Sequence, residues 1–174
     1  MKFDPSIVQT AFQSPLGNII IAATDKGLAG LWFEGQRHSP AQLTGALPAW
    51  PASHAHPVLK KISTQLKEYF AGKRTQFDVP LDLSSGTEFQ QAVWKVLLAI
   101  PQGDTTSYGD VSQRIGNPAA VRAVGAAVGR NPVSIIVPCH RVVGANGSLT
   151  GYAGGLDRKT ALLKLEGALQ EHTF

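Results

Sequence analysis

Residues 107–142 read "SYGDVSQRIGNPAAVRAVGAAVGRNPVSIIVPCHRV", and their glycines, asparagines and prolines divide them into two short helical patterns followed by an apolar run ending at a cysteine. The patterns "SYGDVSQRIG" and "NPAAVRAVGAAVGRN" meet at Gly116 and Asn117, and Pro118 brings the φ that a first helical turn needs. Two short helices with a tight glycine-containing connection read as a helix-turn-helix. The second pattern is unusual in composition. Positions 119, 120, 123, 125, 126, 127 and 129 are all Ala or Gly, and Arg122 is the single long cation set among them. Glycine inside a helix costs roughly 1 kcal/mol relative to alanine, so Gly125 points to a close approach at this helix, by a DNA backbone or groove or by another packed helix.

Working outward, residues 142–150 suggest a small hairpin turning at Asn146-Gly147, and "GLDRKTALLKLEG" reads as a last helix stopping at Gly167. Upstream, "TEFQQAVWKVLLAI" has Thr87 as a candidate N-cap, Phe89, Val93, Val96, Leu97 and Ile100 on one face, and Pro101 as its stop. The punctuated stretch "SSGT" before it places a domain boundary between residues 84 and 85. The first domain reads differently: "SIVQTAF", "NIIIAAT" and "LAGLWF" are strands separated by "SPLG" and "DKG" turns. "VLKKISTQLKEYFAG" then sets Leu59, Ile62, Leu66 and Phe70 at helical spacing. The expected fold class is therefore α+β, with an antiparallel sheet and helix in residues 1–84 and a mainly helical domain with a helix-turn-helix in residues 85–174.

The composition excludes several classes. With 43% hydrophobic and 16% charged residues the chain is ordinary for a globular protein. No run approaches the roughly 20 apolar residues of a membrane span, and "MKFDPSIVQT" lacks a signal-peptide core, so a cytoplasmic protein with no membrane partner is expected. One cysteine cannot form an internal disulfide, and with five scattered histidines there is no zinc spacing, so no metal is expected. The net charge of +4 favours polyanions without proving them. Both halves of the chain hold eight basic and six acidic residues, so any nucleic-acid face must come from placement.

The candidate chemistry centres on Cys139. Unaided, a thiol with pKa near 8.5 is only a few per cent thiolate at neutral pH, so a nucleophilic role needs a base. His140 is its neighbour in sequence, but neighbours do not face each other on a strand or helix, so His140 would act through a turn or one water. An acid would then hold the imidazole, and spacing does not choose among Asp157, Glu166 and Glu171. "TGYAGG", residues 150–155, suggests a loop whose backbone approaches a ligand closely. There is no dinucleotide fingerprint and no Walker lysine motif, so no cofactor is expected.

Taken together, "NPVSIIVPCHRVVGANGSLTGYAGG" (residues 131–155) and "KLEG" (residues 164–167) closely resemble the signature of the O6-alkylguanine-DNA alkyltransferases, the methylated-DNA–protein-cysteine methyltransferases of direct-reversal repair. The match is strong over residues 87–174, whereas the first half matches at the level of architecture, where the family carries a small ribonuclease-H-like domain. The resemblance implies that Cys139 takes the alkyl group from guanine O6, and by extension from thymine O4, in one irreversible turnover. It implies that His140 accepts the thiol proton through a water, that Glu166 orients His140, and that Asn131 braces the turn before the active-site segment. Tyr108 would assist departure of the guanine near N3. The carbonyls of Cys139 and Val142 would receive the exocyclic amine, and the loop at Tyr152 and Ala153 would lie near O6.

Arg122 resembles the family's arginine finger, which fills the gap left by a flipped nucleotide. The helix carrying it, with Ala123, Ala126, Ala127 and Arg130, would enter the minor groove of duplex DNA. The implied protein is a monomer that can assemble cooperatively on DNA and needs no cofactor, because the substrate supplies the alkyl group. Two positions depart from relatives: Ala153 where some carry serine, and Ser134 where some carry a second proline, which bears on acceptance of bulky groups such as benzyl. The alternative reading is a non-catalytic damage-recognition protein of the alkyltransferase-like type, in which the reactive cysteine is replaced; Cys139 argues against it. A Cys-His hydrolase would need an acyl-enzyme and an oxyanion hole, and a helix-turn-helix regulator without chemistry would not need Cys139.

Overall fold

The computed structural model describes residues 1–169. The chain divides into two compact units, Met1–Thr87 and Glu88–Phe174, and each is described by itself.

The first unit is built on three antiparallel strands, β1 (Val8–Ser14), β2 (Gly17–Thr24) and β3 (Gly27–Phe33), with β2 in the middle. Ser14 pairs with Gly17 and Thr24 with Gly27, so each hairpin turns on two residues, Pro15-Leu16 and Asp25-Lys26, inside the expected SPLG and DKG turns, with Gly27 already in β3. Every residue of β3 is buried although it is an edge strand of the sheet. Its open edge is covered because Leu28 N donates to Pro80 O at 2.8 Å and Asp82 N donates to Leu28 O at 2.8 Å, which satisfies backbone groups that an exposed edge would leave unpaired.

Helix α1 (Ala41–Thr44) is a single turn the hydrophobic pattern does not announce. Helix α2 (Pro57–Phe70) begins with Pro57 at its first position and buries Leu59, Ile62 and Leu66 of the expected stripe, with Tyr69 buried in place of the half-buried Phe70, and it packs on all three strands. A second apolar cluster holds Ile7, Ala22, Ala29, Trp32 and Trp50, with Phe3 against it. Gly30 is what lets Trp32 fold flat: a Cβ there would stand 1.9 Å from the indole.

The second unit is mainly helical, with α3 (Glu88–Leu98), β4 (Thr106–Ser107), α4 (Tyr108–Arg114), α5 (Val121–Gly129), one 3-10 turn at Cys139–Arg141, β5 (Val142–Val143) and α6 (Leu156–Leu165). Helix α3 buries Val93, Trp94 and Leu97, and Trp94 Nε1 donates to Ala127 O at 2.9 Å, fastening it to α5. Ser107 caps α4 by accepting from Asp110 N at 3.0 Å. Helices α4 and α5 pack together and form the expected helix–turn–helix pair.

Two local expectations are corrected. Pro118 does not open the second helix: residues 117–120 form a turn, Ala120 N donating to Asn117 O at 3.0 Å, and α5 begins at Val121. Residues 142–150 are not a hairpin either. Gly147 N donates to Gly144 O and Gly144 N to Ser148 O, both at 2.8 Å, so the turn at Asn146-Gly147 exists. The strand leading into it, β5, pairs instead in parallel with β4, Thr106 opposite Val142 and Ser107 opposite Val143. A long-range partner thus replaced the local one. Among the described residues no helix is long and apolar enough to cross a membrane.

Candidate active site

Helix α5 ends at Gly129, and the chain from Asn131 to Val143 is buried at every residue. A buried irregular segment must find internal partners for its backbone, and Asn131 supplies two. Its Oδ1 accepts from Val133 N at 2.9 Å and its Nδ2 donates to Val137 O at 2.7 Å. Between them Ile135 stands at φ 73°, and Ile136 N donates to Ser134 O at 2.9 Å. This is a γ-turn of positive φ at a β-branched residue, a strained conformation that persists only where its surroundings enforce it. Pro138 follows at φ −82° and ψ 66°, and Cys139 N donates to the same Val137 O at 2.8 Å. One carbonyl therefore ties the amide of Asn131 to the backbone of Cys139.

Cys139 opens the 3-10 turn and is 4% exposed. Burial pushes its thiol pKa up, while hydrogen bonding from Asn131, the charge of Lys159 and hydrogen bonding from Ser134 pull it back. His140 is fully buried, and burial lowers its pKa ahead of the opposing pull of Glu166, so the imidazole is neutral at neutral pH. Its Nε2 lies 2.8 Å from Glu166 Oε2, and its Nδ1 is buried with no partner among the described residues. The acid left open by sequence spacing is thus Glu166, the C-cap of α6. Asp157 lies in the first turn of α6, at the other end of that helix, and Glu171 lies outside the described residues.

Two further groups were missed in the sequence. Arg141 is 7% exposed; its Nε donates to Glu166 Oε1 at 2.8 Å, Nη2 to Oε2 at 3.0 Å and Nη1 to Ile100 O at 2.6 Å. Lys159 has no exposed surface, and its Nζ donates to Val142 O at 2.6 Å and to Thr150 O at 3.1 Å. Burial lowers its pKa to about 8, against the pull of Cys139 in the other direction. The signal for Lys159 was present: residues 159, 162, 163 and 166 follow helical spacing, so a lysine and a glutamate fall on the buried stripe of α6. Arg141 carried no such mark beyond its place in "PCHRV".

The structure gathers Cys139, His140, Glu166, Asn131 and Val142. The carbonyls expected to receive an amine are already engaged once: Cys139 O accepts from Val142 N and Val142 O from Lys159, which leaves each one lone pair. Tyr108 begins α4, its hydroxyl accepts from Thr150 Oγ1 at 3.1 Å, and its ring lies 3.9 Å from where a Cβ on Gly125 would stand. Gly125 is therefore covered by Tyr108 at ordinary contact distance. Tyr152 is buried and Ala153 half-buried in the tight turn that Gly155 N closes by donating to Tyr152 O at 2.9 Å.

On α5, Arg122, Ala123, Ala126 and Arg130 are exposed. Ala127 is not, at 2% exposure, because helical spacing puts it with Val124 and Val128 on the inner face. Ala127 therefore does not share the exposed face on which it was expected. Among the described residues no group of three His, Cys, Asp or Glu side chains is placed to hold a metal ion.

Comparison with known proteins gives the same picture along the chain. Residues 7–83 match the family described as 6-O-methylguanine DNA methyltransferase, ribonuclease-like domain, and residues 88–168 match its DNA binding domain. A methylated-DNA–protein-cysteine methyltransferase of Mycobacterium bovis is 51% identical over 153 residues, covering 88% of each chain. One from Methanosarcina acetivorans is 48% identical over 158 residues, covering 90% of this chain and 96% of that one. Among solved structures, the Mycobacterium tuberculosis OGT in complex with DNA is similar with a TM-score of 0.80 at 47% identity, covering 91% of both chains.

Proposed function

The chain belongs to the 6-O-methylguanine DNA methyltransferase family, and on that premise we propose that it repairs alkylated DNA by direct reversal, as a methylated-DNA–protein-cysteine methyltransferase with Cys139 as acceptor. The observation that carries this reading is a buried thiol, Cys139, followed directly by a buried His140 whose Nε2 lies 2.8 Å from Glu166 Oε2 and whose Nδ1 has no partner among the described residues.

The chemistry follows from that arrangement. The thiol proton passes through a water to Nδ1, and the imidazolium so formed is balanced by the Glu166 carboxylate. Sulfur then attacks the alkyl carbon on O6, the carbon–oxygen bond breaks, and guanine departs as it is protonated, with Tyr108 near N3. The product is a thioether with no good leaving group, so each molecule acts once. The non-catalytic alternative has no use for a buried thiol beside a general base.

DNA is the partner, and O6-alkylguanine in a duplex is the proposed substrate, with O4-alkylthymine as a second adduct. The target atom is inside the base stack, so the nucleotide must be extruded. Helix α5 and its C-cap Arg130 present Arg122, Ala123, Ala126 and Arg130 on an exposed face, with neither guanidinium engaged by another described residue; the small side chains around Arg122 suit entry into the minor groove, with Arg122 filling the vacated stack. The proposed protein is a cytoplasmic monomer. A duplex with one O6-methylguanine, incubated with limiting protein and digested to nucleosides, tests the proposal. Restored guanine should plateau at one per protein molecule. Continued turnover, or none, would contradict it.

A further inference from the structure

Glu166 serves two buried groups, and the sharing determines which nitrogen of His140 carries the proton. Arg141 grips both carboxylate oxygens, Nε on Oε1 at 2.8 Å and Nη2 on Oε2 at 3.0 Å, and its third arm holds Ile100 O at 2.6 Å. Oε2 is the same oxygen that lies 2.8 Å from His140 Nε2. From this geometry we propose that Arg141 is a positioning residue for alkyl transfer: by holding Glu166 as an ionised acceptor it locks His140 in the tautomer with hydrogen on Nε2, leaving Nδ1 free to take the Cys139 proton. The inference rests on the function proposed above.

A carboxylate gripped by a guanidinium is ionised and can only accept. A ring nitrogen at 2.8 Å from it must therefore donate, so the neutral ring carries its hydrogen on Nε2 and its lone pair on Nδ1. Nδ1 is buried without a partner among the described residues, so nothing else dictates its state. Without Arg141 the acid could hold its own proton and donate to Nε2, which would put the ring hydrogen on Nδ1 and close the route from sulfur. The wrong tautomer is costly in this kind of relay.

During transfer the Sγ–H bond breaks, its proton arrives at Nδ1, the Sγ–carbon bond forms, and the carbon–O6 bond breaks with its electron pair passing to guanine, which takes up a proton from water as it leaves. The positive charge then rests on His140, beside a Glu166 that remains an anion. The charged groups bearing on His140 are Glu166 and Lys159 from α6 and its terminus, and Arg141 from its own turn. Burial lowers its pKa, which keeps the resting ring neutral and makes its tautomer the quantity to measure.

Nitrogen-15 spectra of histidine-labelled full-length protein read that tautomer directly, and single-turnover transfer from an O6-methylguanine duplex reads the rate. The unmodified protein should show hydrogen on Nε2. Arg141→Met alone would bury an unpaired carboxylate and could unfold the unit, so the decisive variant is Arg141→Met with Glu166→Gln, which removes both charges and lets the amide either donate or accept. It should be folded, exchange the single Nε2–H tautomer for a mixture of the two, and transfer methyl about 10²–10⁴-fold more slowly, the usual span of a general base. Arg141→Lys, which keeps the charge but cannot span both oxygens and Ile100 O, should keep the Nε2–H tautomer and fall between. An Nδ1–H tautomer in the unmodified protein, or a double variant within about threefold of its rate, would overturn the role of Arg141. Failure of the unmodified protein to methylate Cys139 while showing Nε2–H would sink the functional reading and the inference with it, a result separable from the first.

Discussion

Replacing Asn131 with alanine should destabilise the second unit and slow its chemistry together, because one amide serves both. The side chain bridges Val133 N and Val137 O within a segment buried at every residue. Removing it orphans the Val133 N–H outright, and deprives Val137 O of one of two donors, since Cys139 N still reaches that carbonyl. An orphaned buried group costs about 1–3 kcal/mol, so one full and one partial loss amount to roughly 3 kcal/mol. For a unit of this size that corresponds to a Tm lower by about 12–24 °C.

The same change removes the hydrogen bonding that draws the Cys139 thiol pKa down against burial, so transfer should also slow at neutral pH. Asn131→Asp separates the effects: it still accepts from Val133 N but sets a second oxygen against Val137 O, and should be slow as well as unstable. Calorimetry and urea titration give the stability, and single-turnover kinetics well below each midpoint give the rate. Loss of less than about 0.5 kcal/mol, the level of an ordinary surface substitution, or an unchanged rate in a destabilised variant, would refute the bridge as argued.

Other outcomes follow from the same geometry. Arg122→Ala should impair repair of duplex DNA much more than reaction with free O6-methylguanine base, and equal losses would remove the finger role. Because burial holds the His140 pKa below its usual 6.5 and the neutral ring is the base, the acidic limb of the rate profile should lie below pH 6.5; a limb centred above 7 would contradict it. For Lys159 the folded pKa of about 8 lies below the ordinary lysine value of 10.5. The unfolded chain therefore binds more protons between those values, and stability rises with pH across that window by about 3 kcal/mol. Denaturant titrations of the protein and of Lys159→Met at pH 8 and 10 should show this gain in the first and not in the second, and parallel slopes would dismiss it.

Much of this was legible in residue order because the signals were local. The β1–β3 hairpins turn within the SPLG and DKG stretches, and α2 and α3 form where their apolar spacing put them, although Tyr69 replaces Phe70 on the buried face of α2 and Trp94 joins that of α3. What escaped was set by distant partners. The strand β5 pairs with β4 rather than with the residues after its own turn. Pro118 sits in a turn closed by Ala120 N and Asn117 O, three residues before α5 begins at Val121. Ala127 belonged to a run of small residues, and only the helical phase of α5 separates it from Ala126. At the site, the resemblance supplied Cys139, His140, Glu166 and Asn131. The roles of Arg141 and Lys159 depended on contacts across 25 residues to Glu166 and 17 to Val142, a separation no periodicity conveys.

Cys139 should become alkylated at the expense of the DNA, and mass spectrometry of the intact protein and of its peptides after incubation with a duplex carrying one O6-methylguanine reads this directly. One methyl group should be gained, on the peptide containing Cys139, matched by one restored guanine. A duplex bound without methyl transfer, or a methyl found on any other residue, would contradict it.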